Sequence, residues 1–339
     1  MRKHIPGQLS LFPELDEKPA PPPGVAACAP AESVNEWLRQ WPPGLRVGTS
    51  SWSFPGWSGL IYDRSYSESR LSRAGLRAYA SHPQLRAVGI DRTYYAPMSR
   101  EDFALYAEQV PQDFRFLVKA PERLTTARFS RHPRYGALAG LDNPEFLLPE
   151  KAIVEWIEPA QQGLGNKLGA LLLQFPPMAP AAVGGAAGFA VRLHHFLEQL
   201  PEGLPYAVEI RNGELMTSHY AQVLQRLGVS HCWVVHPQMP SLAVQHQRLG
   251  LQPQCLVRWM LGGGGRTDWN YERAVQAYEP FHQLVDPDPV ALSQILNLWS
   301  ESLQQAREVL TIVNNKAEGC APRSIERLLE AWFAPAAPF

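Results

Sequence analysis

The chain has 339 residues, 45% of them hydrophobic and 19% charged, with a formal net charge of −1 at pH 7. Such a composition can bury a sizeable core, and the near-zero charge by itself points to neither nucleic acid nor membrane. The longest apolar run, residues 168–173, is far too short to cross a bilayer. Cys28, Cys232, Cys255 and Cys320 are far apart and form no CxxC pair. That is a reduced, cytoplasmic pattern without a zinc signature. No cofactor is expected, with a divalent metal left open, and no signal peptide is read at the N-terminus.

Residues 1–44 differ in character from the rest of the chain. Pro19, Pro21, Pro22, Pro23, Pro30, Pro42 and Pro43 interrupt regular structure, so the segment reads as a disordered extension. One short helical stretch is expected over residues 33–40, capped by Ser33. Within the extension, Gln8-Leu9-Ser10-Leu11-Phe12 resembles the peptide that bacterial sliding-clamp partners use. Gln8 would anchor the backbone while Leu9, Leu11 and Phe12 supply apolar contacts. The alternative is a hydrophobic latch that folds back on the protein.

From residue 45 onward, short apolar runs recur at 46–51, 86–92, 114–119, 168–174, 206–211, 229–236, 255–258 and 309–315. They are rich in Val, Ile, Leu and aromatics, as buried parallel strands are, and most are separated by a stretch of helix length. Eight strand–helix repeats predict a (β/α)8 TIM-type barrel over residues 45–335, with its site at the C-terminal strand ends.

The opening Val47-Gly48-Thr49-Ser50-Ser51-Trp52-Ser53-Phe54-Pro55-Gly56-Trp57 resembles that of the YecE-like family, domain of unknown function 72. Further motifs occur in the family's order: Thr93-Tyr94-Tyr95, Phe114-Arg115-Phe116 with Val118-Lys119-Ala120-Pro121, Leu173-Gln174-Phe175-Pro176-Pro177, and Ala207-Val208-Glu209-Ile210-Arg211. Val257-Arg258 and Asn314-Asn315 with Glu318-Gly319 and Ala321-Pro322 complete the set. The resemblance implies a barrel and brings no reaction with it. Three polar positions depart from the family's pattern. Gly89 and Asp91 stand where a Glu and an Asn are usual, Met260 stands near a usual His, and strand six ends on His236 instead of an acid.

Strand alternation decides which side chains enter the barrel. With Val208 and Ile210 facing the helices, Ala207, Glu209 and Arg211 point inward; Lys119 goes in with Leu117, and Arg258 with Leu256. Cations converging there suit a phosphate, a carboxylate or a nucleic-acid backbone. Glu209 is the candidate acid/base if burial raises its pKa; a buried ion pair without chemistry is the alternative. Gly263, Gly264 and Arg266 form a candidate phosphate loop after strand seven, or a surface loop. Trp52 and Tyr95 either wall a pocket or roof the barrel, and Asn314 and Asn315 either orient substrate or satisfy backbone groups.

Between Arg64 and Arg134 there are 13 Lys or Arg against 7 Asp or Glu. The densest part runs through Arg115, Lys119, Arg123, Arg128, Arg131 and Arg134 with Glu122 as its single acid. It is either a DNA-facing patch or a set of locally paired arginines. These features allow two functional classes. One is an anion-binding, clamp-recruited DNA-maintenance factor; the other is a metabolic enzyme acting on a small phosphorylated or carboxylated substrate through Glu209.

Overall fold

Strands covered on both faces need apolar side chains in both directions, and the eight short runs supply them. The computed structural model describes residues 24–262 and 269–334. In it the runs form β1 (Leu45–Thr49), β2 (Ala87–Ile90), β3 (Arg115–Lys119), β4 (Leu168–Gln174), β5 (Tyr206–Glu209), β6 (Ser230–Val235), β7 (Cys255–Trp259) and β8 (Val309–Val313). All neighbours pair in parallel and in sequential order, and β8 returns to β1 from Leu45↔Val309 to Thr49↔Val313. The result is a closed (β/α)8 barrel. No helix among the described residues is long and apolar enough to cross a membrane.

Alternation sorts the core into two parts. Ala87, Leu117, Ala170, Leu172, Ala207, Cys232, Leu256, Leu310 and Ile312 fill the barrel interior. Their neighbours Val88, Val118, Leu171, Leu173, Val208, Trp233 and Val257 join the larger layer between strands and helices. Several outer helices begin at side-chain caps: Ser67, Ser99, Thr217, Ser241, Asn270 and Asp288 each accept the backbone N–H three residues on.

The prolines predict disorder as far as residue 44, yet residues 24–44 are ordered. Ala27 bridges to Tyr62, and a helix spans Glu32–Arg39 with Val34 and Trp37 buried on one face. Trp37 stacks on Phe333 at 6.1 Å, and Arg86 lies 4.4 Å over the Trp41 ring. Burial of these side chains outweighs the prolines, which flank the helix without entering it. Ser33 is inside the helix, whose cap position is Ala31, so the expected Ser33 cap is not formed. Residues 8–12 and 263–268 lie outside the described residues.

The β1–β2 contact depends on a missing side chain. A Cβ on Gly48 would stand 1.7 Å from the Ala87 carbonyl oxygen, whereas one on Gly59 would meet open space at a φ of +75°. Gly48→Ala must therefore push two strands apart, while Gly59→Ala strains only a turn. Chemical denaturation should show Gly48→Ala losing about 3 kcal/mol or more and Gly59→Ala about 1 kcal/mol. Equal losses would contradict the close strand approach.

Candidate functional site

Strand ends at the C-terminal side bring together the inward residues expected from alternation. Glu209, last residue of β5, is fully buried, and Arg211 folds back on it from two positions along the chain. Arg211 Nε donates to Glu209 Oε1 at 2.6 Å. Arg258, inward on β7, donates from Nη1 to Glu209 Oε2 and to Gln174 Oε1, the latter at 3.0 Å. The Cys232 thiol approaches Glu209 Oε2 at 3.8 Å. One carboxylate thus serves two guanidinium groups and ties β4, β5, β6 and β7 together.

Asp91, just beyond β2, extends this network. Its Oδ1 is buried without a hydrogen-bond partner and lies 4.0 Å from Arg258 Nη2. Arg258 Nε is likewise buried and unpartnered. Lys119, at the end of β3, is 9% exposed. Its Nζ sits 3.8 Å from the centre of the Tyr94 ring, and among the described residues no carboxylate reaches ion-pair distance of it. The Tyr94 hydroxyl donates to Glu122 Oε1 at 3.1 Å, and Glu122 also holds Tyr135 and Arg134. Thr93 fixes the adjacent strand ends by donating to the Lys119 carbonyl at 2.6 Å.

Charge and burial compete at each of these groups. Burial raises the Glu209 carboxyl, but Arg211 and Arg258 outweigh it and hold the pKa at about 2. That is the opposite direction from the one a general base requires, so the pairing favours an anchoring role. Burial pushes Lys119 down to about 8, Asp91 opposing and Arg258 adding to the effect. His236, after β6, is pushed down to about 3 by burial and then by Arg211, and is neutral at pH 7. Its ring lies 5.9 Å from Tyr271, whose hydroxyl is 3.5 Å from Arg211 Nη1. His236 also borders a cavity of about 590 Å3 formed with Met239, Leu242, Leu261 and residues 287–291 and 294.

Other expected site residues are placed differently. Asn315 is wholly buried, its Oδ1 accepting from Trp57 Nε1 at 3.2 Å and Ala321 N at 2.9 Å. It points away from the mouth because alternation puts Asn314, not Asn315, on the inner face. Trp52 belongs to the outer core, donating to the Leu71 carbonyl and meeting Tyr106 edge-on. Tyr95 is 75% exposed and, with Tyr94, Pro121, Glu122 and Arg123, lines a surface pocket of about 300 Å3. Gly263, Gly264 and Arg266 lie outside the described residues, although Gly262 before them is pinned by its N–H to the Lys316 carbonyl at 3.1 Å.

Sequence reasoning missed Gln174 and Lys316 as contributors to this end of the barrel. Gln174 was legible as an inward strand end by the same alternation rule. Asn314 accepts the Lys316 N–H at 2.9 Å and donates to Ser50 at 2.9 Å. Lys316 lies over the Phe281 ring at 5.3 Å. The basic stretch is largely compensated: Arg123 pairs with Glu145 at 3.1 Å, Arg128 with Asp142 at 2.6 Å, and Arg134 with Glu122. Among the described residues, no three His, Cys, Asp or Glu side chains converge as metal ligands.

The Glu209 pairing has a measurable signature. Its folded pKa lies below the ordinary value of 4.5. Its contribution is therefore complete above about pH 4.5 and is lost as pH falls towards 2; linkage sets it at about 3 kcal/mol. Glu209→Gln should cost about 3–5 kcal/mol at pH 7. In urea titrations the gap between wild type and variant should close between pH 4.5 and 2. A gap that stays constant would show that the carboxylate charge is not what anchors the arginines.

Comparisons with known proteins agree with this architecture. The family described as "Protein of unknown function DUF72" matches residues 46–337. The UPF0759 protein YunF of Bacillus subtilis (strain 168) is 25% identical over 292 residues, covering 81% of this chain and 92% of that protein. A crystal structure of a DUF72 family protein from Enterococcus faecalis V583 superposes with a TM-score of 0.55 at 20% identity. It covers 87% of this chain and 97% of its own. One from Thermotoga maritima MSB8 gives 0.54 at 21% identity, covering 84% and 99%. With the family matched across nearly the whole barrel, as the ordered motifs implied, the chain belongs to the DUF72 family.

Proposed function

We propose that the barrel mouth binds a small organic anion, a phosphate or carboxylate, on Lys119 and Arg258, with Arg211 and Lys316 adding to the field. The observation that supports it is an excess of enclosed positive charge. Among the described residues, Lys119, Arg211 and Arg258 face only the carboxylates of Glu209 and Asp91, and two of the polar atoms involved, Arg258 Nε and Asp91 Oδ1, have no hydrogen-bond partner. Enclosing a cation without a counter-charge costs several kcal/mol, a cost that a bound anion would offset. In this reading Glu209 is a positioning residue that aims the guanidinium groups.

A protein binding at Gln8-Leu9-Ser10-Leu11-Phe12 is a second proposal, carried by the peptide's sequence. A sliding clamp is the partner it fits, and such recruitment would bring the barrel to DNA. The acids paired with Arg123, Arg128 and Arg134 favour a small ligand over a nucleic-acid backbone for the barrel itself.

Lys119 provides the cleaner test of the anion site, because its removal orphans no tightly paired carboxylate. Lys119→Met should leave the melting temperature unchanged or higher. Wild type should gain several degrees with inorganic phosphate or sugar phosphates at about a hundredfold Kd, and the variant should gain none. An equal gain in both proteins would remove Lys119 from the site. For recruitment, a peptide of residues 1–18 should bind the sliding clamp in calorimetry and lose binding with Leu11→Ala and Phe12→Ala together. Unchanged binding by the double variant would defeat the clamp reading.

A further inference from the structure

We propose that Lys119 is a carbonyl-reactive amine, forming an imine with an aldehyde or ketone whose anionic end rests on the other cations of the mouth. This rests on the anion-site reading above and adds the chemistry of the ligand it would take.

Geometry separates Lys119 from Lys151 and Lys167, while Lys316, half-buried over the Phe281 ring at 5.3 Å, is the internal control. Lys151 is held by Glu145 at 2.8 Å and Glu155 at 3.6 Å. Lys167 donates to the Ala107 and Val110 carbonyls at 2.6 and 2.8 Å. Lys119 is enclosed at a strand end, rests on the Tyr94 ring at 3.8 Å, and has no acceptor engaged by Nζ among the described residues. Glu122 grips the Tyr94 hydroxyl, so the ring beneath the amine is itself fixed. The charged groups facing Lys119 are Asp91 beyond β2, Glu209 and Arg211 at β5, and Arg258 on β7. Burial and the two guanidinium groups favour the neutral amine against Asp91 and Glu209, bringing the pKa to about 8. At pH 7 about a tenth of such an amine is unprotonated, against about one part in a few thousand for an ordinary lysine.

The step balances without an oxidant or reductant. Neutral Nζ gives its lone pair to the carbonyl carbon, and the carbonyl π pair moves onto oxygen. One Nζ proton reaches that oxygen by way of solvent water, giving a carbinolamine. The second Nζ proton takes the same route, the nitrogen lone pair forms the C=N bond, and the hydroxyl leaves as water. Amine and carbonyl have become imine and water.

The full-length protein should be incubated with glyoxylate, pyruvate or glyceraldehyde 3-phosphate plus sodium cyanoborohydride, then mapped by peptide mass spectrometry. At least one probe should leave a reduced adduct on Lys119 at ten times or more the level on Lys151, Lys167 and Lys316, with inorganic phosphate lowering the yield. Lys119→Arg should melt within a few degrees of wild type and carry no such adduct. Even labelling of all lysines, preferential labelling of Lys316, or an unlabelled Lys119 with every probe would overturn the proposal. If Lys119 stays unlabelled while phosphate still raises the wild-type melting temperature, imine chemistry fails and the anion site stands. If Lys119 is labelled while phosphate neither stabilises nor competes, the amine is reactive and the anion reading fails alone.

Discussion

Glu209 sits fully buried between Arg211 and Arg258, and the top of the barrel is organised around that arrangement. A closed parallel barrel gives its inward strand ends little water, so each charge there must find an opposite charge or a hydrogen-bond partner. Two guanidinium groups with fixed forks of donors can share one carboxylate from different strands, which two ammonium groups do less well. The arrangement joins β5 to β7 directly, to β4 through Gln174, to β6 through Cys232, and towards β2 through Asp91. Glu209 and Asp91 together balance the two guanidinium groups, and Lys119 is left without a paired carboxylate among the described residues. That remaining positive charge is what supports the proposal of an anionic ligand.

Most of the charge lies on one side of the mouth. Around β8 and β1, Lys316 apart, neutral groups pair with one another: Asn314 with Ser50, Thr49 with Tyr79, and Asn315 Oδ1 with Trp57. Charged groups gather from β2 through β7, where Asp91, Lys119, Glu209, Arg211 and Arg258 lie. On the proposed reading, an anionic ligand would meet an electrostatic gradient across the opening. His236, kept neutral by burial and by Arg211, does not add to the field.

Most of this barrel is legible in the sequence because its signals are local. Runs of apolar residues, their spacing and their alternation are written along the chain, and residues 168–174 form β4 with the expected bounds. The same rule puts Lys119, Glu209, Arg211 and Arg258 at one end. What is not legible depends on distant partners. The prolines before residue 44 are local, whereas Phe333, on which Trp37 stacks, is almost three hundred residues away. Glu122 looks like a single acid among arginines because Glu145 and Asp142 come after the basic stretch in sequence but fold back onto it. Asn315 looks as eligible as Asn314 until alternation is carried through β8. The direction of the Glu209 shift depends on two guanidinium groups, whose distances no sequence pattern fixes.

At 20–21% identity the two solved relatives share the fold, and a fold does not name a reaction. The mouth has to supply that. Asp91, Met260 and His236, where the chain departs from the YecE-like pattern, fall at this end of the barrel. Met260 is buried and cannot titrate. His236 is held near 3 and Glu209 near 2, so neither exchanges a proton readily at neutral pH. Lys119, near 8, does. Glu209 draws the eye in sequence as the one carboxylate on an inward strand, yet its own counter-charges lock it. Lys119 reads there as one more cation, but enclosure without a paired carboxylate is what allows an amine to lose its proton. The anchor of this mouth and the amine proposed to react are therefore different residues, and the pairing that immobilises Glu209 lowers the Lys119 pKa by placing two permanent cations beside it.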